Sequence, residues 1–179
     1  MMTLRAQMLG FTMIELIVTM TIAGILMALA VPAFNTFIQN QRLTTAANSL
    51  VLSLNLARSE ALKRDLATGV TVCASADGLN CNGASWTQGW IVIDTSGGPN
   101  SGVLQGVPSI GTNDTVSEVA GQLQSTFQSN GTVTAPASFT VCDNRGAAFA
   151  HSVDLGPTGR VVAATTPGLT VNGAALVCP

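Results

Sequence analysis

Apolar positions follow three regimes along the chain. From Leu16 to Phe34 the residues are apolar except for Thr19, Thr21 and Gly24, and no charge occurs from Leu16 to Gln41. A helix of that length can cross a bilayer. After Phe37 the apolar positions thin to a stripe, Leu43, Ala47, Leu50, Leu54, Ala57 and Ala61, spaced alternately by four and three residues as on one face of an α-helix. Leu52, Leu56 and Leu62 are expected to widen it, and Thr44, Asn48, Ser49, Asn55, Arg58, Ser59 and Lys63 leave a polar side. One helix from Phe11 to Arg64 would run about 80 Å, far more than a bilayer needs. Its outer half must therefore pack on protein, and the stripe predicts a seam under a sheet of the same chain. Pro32 removes a backbone donor and crowds the carbonyl of Ala28, so a kink or local unwinding is expected between Gly24 and Pro32.

Beyond Asp65 the pattern changes to short apolar runs broken by turn signals, which predicts an antiparallel sheet. The expected strands are residues 69–74, 89–94, 123–128, 137–142, 152–155, 159–164 and 175–178. Turns are expected at Asn82-Gly83, Asn130-Gly131, Gly156-Pro157-Thr158-Gly159 and Asn172-Gly173. Residues 95–115, rich in Gly, Ser, Pro and Asn, read as a long loop. Trp90, within an apolar run, is expected in the core, and Trp86, in a polar turn, to be partly exposed.

Charged residues are only 9% of the chain, against the usual quarter or so. The formal charge of −2 includes Arg5, and no strong basic field gathers nucleic acid from a distance. Cys73, Cys81, Cys142 and Cys178 all lie beyond the apolar run, which suits disulfides formed in an oxidising compartment. Three pairings are open; the favoured one joins Cys73 to Cys81 across a turn and Cys142 to Cys178 across a long loop. The second bridge would contribute about 3–4 kcal/mol in the chain-entropy model. A zinc site is disfavoured, because the spacings contain no C-x-x-C and His151 is the only histidine.

Three readings compete for the N-terminus. Arg5 ahead of the apolar run biases the C-terminal part outward. Ala28-Leu29-Ala30 would suit a signal peptidase, but an acid at Glu15 beside the apolar core serves no purpose in export. A plain single-span anchor explains Glu15 only as an acid tolerated at the interface.

The segment Gly10-Phe11-Thr12-Met13-Ile14-Glu15-Leu16 resembles the cleavage motif of type IV pilins and type II secretion pseudopilins. The resemblance implies that a prepilin peptidase cuts after Gly10 and methylates Phe11. It further implies that Glu15 neutralises a new N-terminal amine and sets the register of subunits during assembly. Gly24 and Pro32 stand where pilin helices unwind in a filament. Residues 56–61, 72–75 and 86–92, with Phe139-Thr140-Val141-Cys142-Asp143, Arg145-Gly146 and Pro157-Thr158-Gly159-Arg160, resemble the FimT/GspH family of minor pilins and pseudopilins. Some members of that family capture DNA, and Arg145 and Arg160 stand at the matching motifs as possible DNA contacts. Val161-Val162 follows Arg160, however, so the second arginine of the DNA-capturing pattern is missing.

No catalytic constellation is present: His151 is alone, and there is neither a G-x-S-x-G nor a Walker-type glycine loop. Asp143 and Asp154 are expected near each other on adjacent strands, as surface or turn acids. The chain is read as a non-enzymatic α+β protein of pilin-like fold, without catalytic residues, cofactor or metal. Residues 1–10 form a prepilin leader and 11–65 a long helix, with a membrane or filament-core half (11–37) and an amphipathic half (38–65). Residues 66–179 form a small globular β-rich domain. The expected partners are other pilins or pseudopilins, the prepilin peptidase and the inner membrane, with the globular part periplasmic. DNA is the weaker alternative partner, and an ordinary membrane-anchored periplasmic domain the other rival.

Overall fold

The computed structural model describes residues 11–65, 69–99, 101–111 and 113–179. The leader, with Arg5 and Gly10, lies outside the described residues. Helix α1 spans Met13–Arg64. The chain divides into two compact units, Met1–Gln39 and Asn40–Pro179, and α1 contributes to both. In the first unit α1 continues unbroken through Gly24 and Pro32, so the unwinding expected there is absent from the chain in this state. A proline costs a helix one backbone bond, and an otherwise apolar helix absorbs that loss through its neighbouring turns.

In the second unit the predicted stripe is the core seam. Leu43, Ala47, Leu50, Leu54, Ala57 and Ala61 are all buried, joined by Ala46 and Ser53. Each fully buried leucine contributes about 1.5–3 kcal/mol, so Leu43, Leu50 and Leu54 carry much of the attachment of the helix. The expected widening of the stripe is only partly present. Leu56 packs at the margin, whereas Leu52 is 64% exposed and Leu62, which covers only the turn at Gly131, is 50% exposed.

Among the described residues the β part forms two four-stranded antiparallel sheets rather than one. Strands β1 (Val70–Ala74), β2 (Gly89–Asp94), β3 (Gly102–Pro108) and β5 (Gln124–Phe127) form the first, in the order β3-β2-β1-β5. Strands β4 (Asp114–Glu118), β6 (Ala137–Asp143), β7 (His151–Leu155) and β8 (Val161–Ala163) form the second, in the order β4-β6-β7-β8. Val70, Val72, Trp90, Val92 and Phe127 from one sheet share a core with Val116, Phe139, Val141, Val153 and Leu155 from the other. The 3₁₀ turn Trp86–Gln88 ties the two together. The Trp86 indole donates to the Gln122 carbonyl at 2.7 Å, its ring meets Phe139 edge-on at 4.9 Å, and Thr87 Oγ1 accepts from the Val116 amide at 3.0 Å. Trp86 is thus buried, contrary to its polar sequence surroundings, because its one polar atom finds a carbonyl.

Two other expectations are corrected. Residues 95–115 are not one loop but hold β3 and the start of β4. β3 is an edge strand bonded on one side only, to β2, and its Gly-Val-Leu-Gln-Gly-Val-Pro sequence lacks the strict alternation that marks a half-buried strand. Residues 175–178 do not form a strand: only an isolated bridge joins Leu169 and Ala175. The tail is held instead by the Leu176 amide on the Gly168 carbonyl at 2.9 Å and by the disulfide Cys142–Cys178, while Cys73 is bridged to Cys81.

Two turns converge on the outer half of α1. Gly131 lies against Leu62 and Arg58, and Gly159, at φ +72°, is so close to Gly131 that a Cβ there would strike the Gly131 carbonyl. The Arg58 guanidinium donates to the Thr158 carbonyl at 3.2 Å. Glycine at 159 is therefore demanded by both backbone conformation and space.

Candidate functional site

The N-terminal turn of α1 is closed by its own residues. Thr12 precedes the helix and Glu15 stands three residues on, the T-x-x-E spacing of a capping box. The Glu15 amide donates to Thr12 Oγ1 at 3.3 Å, and the Thr12 amide donates to a Glu15 carboxylate oxygen at 3.5 Å. Sequence reasoning singled out Glu15 and missed Thr12, although the spacing was there to read. An acid in the first turn also suits the positive end of the helix dipole.

Behind that turn the helix presents hydrocarbon on all sides. Phe11, Met13, Ile14, Ile17, Met20, Ile25, Met27, Leu29 and Phe34 are each more than half exposed. The most apolar window has a mean hydropathy of 2.3 and none of it is buried, so by length and composition α1 can cross a membrane. The hydroxyls within the run are satisfied locally: Thr19 donates to the Leu16 carbonyl at 2.9 Å and Thr21 to that of Val18 at 2.8 Å. No polar side chain there needs water.

Arg145 and Arg160 are not brought together. Arg145 follows the Asp143 end of β6, whereas Arg160 follows Leu155, which pairs with Ala137 at the opposite end of β6. Arg145 is committed internally. It donates through Nε to Asp143 at 2.7 Å and through Nη1 to Asn40 Oδ1 at 2.8 Å, and its guanidinium lies 4.3 Å from the ring centre of Phe149. It thereby ties the β6 end to α1 at Asn40. Arg160 is exposed in the turn before β8. Two separated arginines, one of them engaged, supply little of the phosphate neutralisation on which DNA affinity rests.

The expected neighbourhood of Asp143 and Asp154 is also corrected. Asp154 pairs with Ser138, and Asp143 stands opposite Asp114 on β4. Burial pushes the Asp114 carboxyl above the ordinary carboxylate range. At the C-terminal end of α1, Arg64 joins Glu60 and Asp94, each at 2.9 Å, and the hydrogen bonds from Lys63 and Arg64 hold the Glu60 carboxyl below its usual range. These partly exposed pairs anchor the helix end to β2 but contribute little stability each. Among the described residues no group of three or more His, Cys, Asp or Glu is placed to hold a metal ion.

His151 opens β7 opposite Val141, and burial lowers its pKa from the usual value near 6.5. The folded chain thus binds fewer protons than the unfolded one just below that value, and stability is lost as pH falls through it. Because it is the only histidine, the effect is assignable. Thermal melts between neutral pH and about pH 5 should show a decline in Tm that is reduced in His151→Gln; an identical decline in both proteins would remove the assignment.

Residues 46–159 match the profile of the family described as type II transport protein GspH, and residues 5–31 match the prokaryotic N-terminal methylation motif. Two crystal structures of the type IV minor pilin FimU from Pseudomonas aeruginosa share the fold. One superposes with a TM-score of 0.54 at 24% identity, covering 68% of this chain and 91% of FimU. The other superposes at 0.55, also at 24% identity, covering 70% and 90%. No curated protein sequence matches the chain.

Proposed function

The chain belongs to the GspH family of minor pilins and pseudopilins, and from that premise we propose how it is matured and put to work. A prepilin peptidase cuts after Gly10 and methylates the amine of Phe11. The apolar half of α1 then holds the subunit in the inner membrane, with the disulfide-bonded unit on the periplasmic side. From there the subunit passes into a type IV pilus or a type II secretion pseudopilus beside other pilins, in an initiating or tip role. The observation that carries this reading is the joining of two things in one chain. A methylation motif over residues 5–31 reaches into the stretch of α1 in which no described side chain is buried, and a GspH match begins at residue 46, just inside the buried seam that opens at Leu43.

The acid explains why anchoring is not the whole role. An uncompensated amine at the hydrocarbon boundary is costly, and a carboxylate at Glu15 of a neighbouring subunit lowers that cost only when the two subunits are in register. Edman sequencing and mass spectrometry of the protein from membranes test the processing. N-methylated Phe11 is expected as the first residue, whereas an intact Met1 or a start at Val31 would overturn the proposal.

A further inference from the structure

The chain contains three Asn-Gly steps, Asn82-Gly83, Asn130-Gly131 and Asn172-Gly173. Such a step can deamidate without an enzyme. The glycine amide nitrogen attacks the asparagine side-chain carbonyl carbon, ammonia leaves, and the resulting succinimide takes up water to give aspartate or isoaspartate. Glycine favours the reaction because no Cβ shields its nitrogen. Attack requires that the asparagine side chain rotate over its own backbone and that the glycine nitrogen give up its hydrogen bond. All three glycine amides are bonded, to the carbonyls of Ala74, Gln128 and Thr170 respectively, so the difference lies in the asparagine side chains and in the room around each glycine.

Asn82 is pinned at both ends. Its Oδ1 accepts from the Ala76 amide at 3.0 Å and its Nδ2 donates to Asp77 at 2.9 Å. Gly83 is buried, and its Cα faces the backbone of Ala74 and Ser75 so closely that a Cβ would come within 2.6 Å of both. Asn130 accepts from the Thr132 amide at 3.0 Å and from its hydroxyl at 2.7 Å, and Gly131 is buried beneath Leu62 and Arg58. All three asparagines are exposed, but Asn172 differs in the rest: its side chain has no hydrogen-bond partner among the described residues, and Gly173, itself exposed at φ +82°, has open space where a side chain would be.

We infer that Asn172-Gly173 is the chain's site of spontaneous deamidation, and that the fold protects the other two steps. The product places a negative charge six residues before Cys178, in the turn closed by the Leu169–Ala175 bridge, and the isoaspartate form also lengthens the backbone there. A subunit held in an assembled fibre would accumulate this change with age.

Peptide mapping by mass spectrometry of the full-length, disulfide-intact protein in detergent, incubated in mildly alkaline buffer, tests the inference. Asn172 should convert at least about tenfold faster than Asn82 or Asn130, whose reaction must wait for local opening. In denaturant, where the fold is gone, the three steps should convert at similar rates, and Asn172→Gln should remove the fast native phase without accelerating the others. Native conversion of Asn82 or Asn130 at a rate matching Asn172, or the same ranking in denaturant as in the folded protein, would overturn the inference.

Discussion

Glu15→Ala is expected to leave membrane insertion and processing after Gly10 intact while reducing incorporation into a fibre more than a hundredfold. Leaving one charge buried without its partner costs about 3–5 kcal/mol, and each 1.4 kcal/mol is a factor of ten. The variant also loses an acceptor for the Thr12 amide, but an exposed cap contributes only about 1 kcal/mol. Glu15→Gln separates the two roles, because glutamine can complete a capping box but carries no charge. Fractionated membranes and sheared fibres, probed for the protein, give the readout. If Glu15→Gln assembles like the parent, the capping role suffices and charge pairing between subunits is refuted. If Glu15→Ala assembles normally, neither role matters. Since Glu15 already holds the Thr12 amide within its own chain, pairing with a neighbour's amine exchanges one partner for another.

Trp90→Ala is expected to destabilise the second unit by about 3–5 kcal/mol, a large part of the 5–15 kcal/mol typical of a small domain. The ring is fully buried between α1 and the sheets. Its indole nitrogen donates to Ser53 Oγ at 3.0 Å, and Ser53 in turn reaches Gln105 on β3 at 3.2 Å, so truncation opens a cavity and breaks a chain of polar contacts from helix to edge strand. Urea unfolding followed by far-UV circular dichroism measures the loss. Trp90→Phe keeps most of the volume and loses the donor, and should fall between parent and Ala. A parental midpoint for Trp90→Ala would show that the helix seam is held by the leucines alone.

What could be read in the residues follows from how strongly each segment is constrained. The helix and strands β1, β2, β6 and β7 were legible because apolar density and period act over many residues at once. Strand β3 was not, because an edge strand needs only a backbone partner and its side chains face neither a full core nor a full solvent. Trp86 misled because burial depended on one carbonyl, that of Gln122, supplied from 36 residues away. Arg145 is the most instructive case. Its place beside Arg160 in the motifs says nothing of distance, and antiparallel pairing puts them at opposite ends of the second sheet. Long-range partners such as Asn40, 105 residues distant, are beyond local pattern.

Every buried residue of the described chain lies at or beyond Leu43. The described residues ahead of Asn40 therefore add nothing to the hydrophobic core. Two selection pressures then act on separate stretches of one gene. Substitutions in residues 13–39 should change lipid partitioning and fibre entry while leaving the melting of the second unit where it was, and core substitutions should do the reverse. The exposed half of α1 can drift with membrane and fibre partners, and the rest with its own fold, each without asking the other to compensate.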